Sequence, residues 1–141
     1  METPFPKSMS FTKKYSRLLE IVKPSDTLGI LINADPDSMA SAMALKRIFW
    51  KKARRVLIYR VNTIKRADNL AFVKFLTVDQ KHIRYLKRSA IRKWALVDSQ
   101  PHHHKLFMDH KYDIIIDHHP VTDPLRADFL DIREDYGANA S

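Results

Sequence analysis

Three short apolar runs in this chain each end in an aspartate, and that recurrence restricts the fold more than any other feature. TLGILI leads into NADPD, KWALV into Asp98, and DIII into Asp117, His118 and His119. The runs are continuous rather than alternating and rich in aliphatic, β-branched residues, as strands buried on both faces must be. A charged side chain has no place inside such a strand. The aspartates therefore mark where strands leave the core, and in open α/β sheets that carboxyl edge is where ligands sit.

The intervening segments supply the other half of the pattern. From Ser8 to Val22, Phe11, Tyr15, Leu18 and Leu19 recur at helical spacing and Pro24 follows, which predicts a first helix. A strand over 26–32 comes next, then a helix from about Ser38, a strand over 54–61 and a helix over 66–76. Residues 77–92 read as mostly loop and short helix. Strands follow over 93–99 and 112–117, with a shorter fifth over 126–133. Strands alternating with helices predict an α/β fold with a largely parallel sheet flanked by helices, because parallel neighbours need crossover connections. A chain of 141 residues, 45% hydrophobic, suits one domain with a single core.

Composition removes several function classes. With no cysteine, disulfide stapling and thiolate metal sites are excluded, and a reducing compartment fits. Only Gly29 and Gly137 are available, so neither a G-x-G-x-x-G fingerprint nor a Walker A loop can be written. The N-terminus has no long apolar stretch after its charges, which argues against a signal peptide, a membrane span or a membrane partner and predicts a cytoplasmic protein. A net charge of +9 attracts polyanions such as short single-stranded nucleic acid, although basic residues also simply solvate surfaces.

On one edge of a parallel sheet, Asp35, Asp37, Asp98, Asp117, His118 and His119 would come together. Carboxylates at that density are stable when a divalent cation neutralises them, and oxygen with imidazole donors suits manganese, magnesium or iron better than structural zinc. The competing reading of each aspartate alone is a cap on a helix or turn.

The motifs DPDSMASA, VDSQP, DHHP and DYGANAS, in this order over roughly residues 20–141, resemble the four landmarks of the N-terminal domain of DHH-family phosphoesterases. That superfamily includes RecJ-type exonucleases, nanoRNA and pAp phosphatases, cyclic-dinucleotide phosphodiesterases, exopolyphosphatases and family II pyrophosphatases. The resemblance implies a Rossmann-like DHH domain with two metal ions, usually Mn2+ with Mg2+ as the substitute. It further implies that Asp98 bridges the ions, that Asp35 ligates one, and that Asp37 and His118 ligate the other. His119 would face the substrate phosphate as donor or as acid to the leaving group, and Asp117 would orient the histidines without binding metal. Two such ions lower the pKa of a shared water and neutralise developing charge. Ser38 lies where the start of the following helix can turn N–H groups toward a phosphate, and Asn33 offers an amide oxygen but reads first as a turn former.

Leu31 stands where many members of that family carry a histidine, four residues before the first aspartate. The family also places another aspartate ligand beyond GANAS and attaches a substrate-gripping DHHA1 domain, and neither fits in 141 residues. The resemblance therefore predicts a truncated domain that alone binds metal incompletely and hydrolyses poorly. Its implied substrates are phosphate esters of short nucleotides (oligoribonucleotides, pAp or cyclic dinucleotides) or, alternatively, inorganic polyphosphate, and a homodimer is left open. A non-catalytic regulatory or binding module with a degenerate metal site is a second reading, and a basic nucleic-acid binder that uses no metal is a third.

Two further stretches carry chemistry of their own. His102, His103 and His104 follow Pro101 and read as a solvated loop, since adjacent side chains on an extended segment face alternate sides. In SMASAMALKRIFWKK, Ser41, Ala42, Ala44, Leu45, Ile48 and Phe49 form one face suited to the sheet, with Met39, Met43 and Trp50 among the basic residues on the other. Such a basic face with an aromatic could grip nucleic acid, or lysine stems and Trp50 could simply cover the helix.

Overall fold

The computed structural model describes residues 10–76, 79–87 and 90–139. Six parallel strands form one sheet in the order β3-β2-β1-β4-β5-β6. They are β1 (Thr27–Ile32), β2 (Arg55–Arg60), β3 (Lys81–His82), β4 (Lys93–Val97), β5 (Ile114–Asp117) and β6 (Phe129–Ile132). Among the described residues three α-helices flank them: α1 (Phe11–Ile21), α2 (Pro36–Ile48) and α3 (Ala67–Leu76). The strand order reverses direction between β1 and β4, the point at which open parallel sheets form their ligand crevice.

Every residue of β1 is buried, and Leu28, Ile30, Leu31 and Ile32 are wholly so, as its place at the centre of the sheet requires. Leu31 is therefore core. Gly29 is fixed by packing: a Cβ there would lie 2.7 Å from Cζ3 of Trp94, its partner in β4. The indole also lies near Tyr59, with centroids 6.3 Å apart, and near His110, at 4.4 Å. At the far edge, Lys14 of α1 pairs with Asp131 of β6 at 2.8 Å and ties the first helix to the last strand.

Several boundaries differ from the sequence reading for local reasons. Ser10 caps α1 by accepting from the Lys13 N–H, and the predicted start at Ser8 lies outside the described residues. Helix α2 begins at Pro36, two residues before Ser38, because Asp35 caps it and proline suits the first turn. The stretch read as loop and short helix contains the two-residue strand β3 and a 3-10 turn over Ile83–Tyr85; positions 77–78 and 88–89 of it lie outside the described residues. On α2, Met39 is buried rather than surface-facing, its sulfur accepting from Nε2 of Gln80 at 3.1 Å, whereas Ala44 is exposed. No helix among the described residues is long and apolar enough to cross a membrane.

Candidate metal centre at the carboxyl edge

Asp98 ends β4 with φ 59°, a left-handed conformation that aspartate tolerates better than most side chains and that turns the chain out of the sheet. Its carboxylate is buried, and its Oδ1 has no hydrogen-bond partner. His118 follows β5 and brings Nε2 to 3.0 Å from that Oδ1 and to 3.4 Å from Oδ2 of Asp37 in the first turn of α2. The approach to Asp98 is close, but the ring nitrogen is not aligned as a donor to it.

The other face of the His118 ring decides the tautomer. Nδ1 lies 3.2 Å from the Tyr136 carbonyl, which can only accept, so Nδ1 carries a proton. In the neutral ring Nε2 then presents a lone pair to two carboxylates. A lone pair held within 3.4 Å of two carboxylate oxygens needs a positive charge beside it, either a proton on Nε2 or a cation. Ligand atoms about 3 Å apart are what an octahedral ion with bonds of about 2.1 Å demands of cis neighbours. The donors are oxygen and nitrogen without sulfur, and one is a buried oxygen with no partner, so the residues fit a hard divalent ion.

Charge accumulation shows in the titration of the cluster. Burial, then the carboxylates of Asp37 and Asp35, push Asp98 up to about 7 against the opposing pull of His118 and His119. At His118, burial acts to lower the pKa, but the Tyr136 carbonyl and the carboxylates of Asp98, Asp117 and Asp37 outweigh it and the net shift is upward.

Asp117 lies behind this group. One oxygen lies 2.7 Å from His119 Nδ1 and the other accepts from Nε2 of Gln100 at 2.9 Å. Atoms of Asp98, Asp117, His118 and His119 all lie within 4.8 Å of one another, as a single ion would require. Both Asp117 oxygens are engaged by His119 and Gln100, whereas the atoms that His118 Nε2 approaches are Asp98 Oδ1, which has no hydrogen-bond partner, and Asp37 Oδ2, which also accepts from the Asn139 N–H. His119 is held through Nδ1, and its side chain is 44% exposed.

The sequence-predicted residues thus take distinct positions. Asp35 caps α2, its Oδ1 accepting from the Ser38 N–H at 2.8 Å, and it stands near enough to act on Asp98. Ser38 corrects the expectation of a phosphate contact: its N–H serves that cap, its hydroxyl donates to the Asn33 carbonyl at 2.9 Å, and it is 1% exposed. Asn33 is exposed and contributes that carbonyl to the turn. The three histidines after Pro101 also differ from a plain solvated loop. They belong to two 3-10 turns, where Nδ1 of His103 accepts from the Gln100 N–H and Nδ1 of His104 from the Leu106 N–H.

Three supporting residues escaped the sequence reading. Gln100 is wholly buried and also donates to the His119 carbonyl at 3.1 Å, so one amide fixes both the carboxylate and the backbone of the histidine pair. Asn139 donates its N–H to Asp37 Oδ2 at 2.9 Å and its amide to Ser41 Oγ at 3.1 Å, drawing the GANAS segment onto α2. Tyr136 acts through its carbonyl, which no side-chain pattern encodes. Gln100 was the one with a signal, since a polar residue three positions past a buried strand needs partners.

No family model matches the chain. Over 110 residues, 78% of its length, it is 33% identical to an uncharacterized protein from Methanocaldococcus jannaschii, and it spans 23% of that protein's length.

Proposed function

We infer that this chain is the metal-binding domain of a phosphoesterase of the DHH type, acting on phosphate esters of short nucleotides in the cytoplasm. The observation that carries the reading is the approach of His118 Nε2 to both Asp98 Oδ1 and Asp37 Oδ2, with the His118 tautomer set by the Tyr136 carbonyl. Asp98, Asp37 and His118 would hold one divalent ion, Mn2+ or Mg2+, and Asp35 would offer its remaining oxygen to a second beside Asp98. Ions held there supply Lewis acidity, lower the pKa of a water and neutralise charge on the phosphate.

The rest of the chemistry belongs to the chain. Asp117 holds His119 through Nδ1 and so aims Nε2 at the site, where the doubly protonated ring would donate its Nε2 proton to a phosphate oxygen or give it up to a leaving alkoxide, returning to the neutral Nδ1–H form. Gln100 locks Asp117 so that this orientation survives solvent exposure of the ring. Asn139 holds Asp37 in position from the opposite side.

Leu31 favours a second reading. Buried in β1 where the family places a histidine, it leaves the Asp35 side of the centre short of a ligand, which suits a binding or regulatory module with a single strong ion site. Titration of manganese into the protein by calorimetry, alongside hydrolysis of a generic phosphodiester, tests both. Saturable binding with turnover, both lost in Asp98→Ala, supports the enzyme, and binding without turnover supports the module. Absence of saturable manganese binding sinks both.

A further inference from the structure

The opposite, amino edge of the sheet carries the reverse charge. Residues 46–55, from the last turn of α2 to the first residue of β2, contain six lysines and arginines. Two main-chain bonds pin the neighbouring strand starts together, from the Arg54 N–H to the Asp26 carbonyl at 2.9 Å and from the Arg92 N–H to the Thr27 carbonyl at 3.0 Å. Arg54 and Arg55 therefore stand on one side of the start of β1 and Arg92 on the other, about 10 Å apart at two strand spacings. Between them lies a cavity of about 530 Å³. Among the described residues none of these three guanidinium groups has an acidic partner.

This cavity continues into a second of about 780 Å³, the two sharing Asp26 and Arg92, and Arg17, Lys23 and Lys93 line the extension. In this extension acidic groups balance most of the cations, Lys93 lying 4.0 Å from Asp113, so the excess of positive charge is concentrated at Arg54, Arg55 and Arg92. Asp26 is buried and accepts from the Lys23 N–H, Glu20 pairs with Arg17, and Asp128 lines the far end. Arginines on both sides of the start of β1, about 10 Å apart, match a linear polyanion better than a single phosphate. Four residues before Arg54, Trp50 is 58% exposed, with the Arg47 guanidinium 4.4 Å and the Lys51 ammonium 4.9 Å from its ring centroid. An arginine-lined cleft with an exposed aromatic on the segment that leads into it is the combination that holds single-stranded nucleic acid, since only an unstacked base can reach the indole.

We propose that the amino edge of the sheet is a docking surface for single-stranded nucleic acid, separate from the carboxyl-edge centre and independent of metal. Anisotropy of a labelled oligo-dT in chelator, over a range of salt, tests it. The wild-type protein binds, and log affinity falls with log salt. The triple variant Arg54→Ala, Arg55→Ala, Arg92→Ala binds at least about tenfold more weakly, with a salt slope shallower by about 2, at about 0.7 for each phosphate that is no longer neutralised. In a Trp94→Phe background, the oligonucleotide quenches the remaining Trp50 emission. Arg54→Glu alone weakens binding as well, which covers a triple variant that fails to fold.

Any of four results overturns the proposal: equal weakening on removing Lys105 and Lys111 instead, an unchanged salt slope in the triple variant, equal affinity for a duplex, or full displacement by inorganic polyphosphate at matched phosphate concentration. Binding that vanishes in chelator would also overturn it, while leaving the metal reading intact.

Discussion

Asp98→Asn isolates the electrostatic cost of the candidate centre. The substitution keeps the shape and the tolerance for φ 59° while removing the charge. In the folded chain the Asp98 carboxyl is pushed from 3.8 up to about 7, chiefly by burial and then by Asp37 and Asp35. A carboxyl raised in the fold binds its proton more tightly there than in the unfolded chain. Stability from this group is therefore fully present below the unfolded value, and it is lost as pH rises from about 4 to about 7. At about 1.4 kcal/mol per unit the full fall is on the order of 4 kcal/mol, and relaxation of the neighbouring charges brings it to roughly 2–4.

Metal-free wild-type protein should accordingly lose roughly 6–12 °C of melting temperature between about pH 4 and about pH 8, at about 3 °C per kcal/mol for a domain of this size. Metal-free Asp98→Asn should lose clearly less over the same interval and melt above the wild type at pH 8. Manganese should reverse the order, raising the wild-type midpoint with concentration and leaving the variant unmoved. Differential scanning fluorimetry across pH, with and without manganese, reads all of this. A metal-free variant that is less stable than the wild type at pH 8 would refute the argument that the buried carboxylates oppose one another.

Two other perturbations test how the site is held and how the sheet is packed. Gln100→Leu removes the donor to Asp117 and to the His119 carbonyl and leaves a buried carboxylate short of a partner, which should cost roughly 1–3 kcal/mol in urea unfolding; an unchanged midpoint would show that the amide is dispensable. Gly29→Ala places a methyl 2.7 Å from the Trp94 ring and should destabilise by roughly 1–3 kcal/mol while shifting the Trp94 near-ultraviolet dichroism, whereas an unaltered spectrum would mean that the indole is not held against β1.

Local pattern established what each segment is. Uninterrupted aliphatic runs such as TLGILI and DIII can be satisfied only between two covering layers, so strand identity and parallel pairing were legible without coordinates. The same logic put the charged residues at strand ends. It could not say which carboxylate meets which partner. Asp35 and Asp37 are two positions apart, yet the first turns back to cap its own helix while the second meets His118 from another strand and Asn139 from 102 residues away. Those meetings depend on the strand order, which brings β1 and β4 side by side, and on backbone groups such as the Tyr136 carbonyl that carry no side-chain signature. Burial is likewise a property of the assembled molecule: only packing made Met39 core, put Leu31 beyond the reach of any ion, and left Arg54, Arg55 and Arg92 around one cavity. Hydrophobic periodicity is a local property, so the order of residues alone was enough to define the elements and the kinds of atom at their ends. Which of those atoms meet was left to the fold, because Coulomb interactions and hydrogen bonds act only between groups brought within a few ångströms of each other.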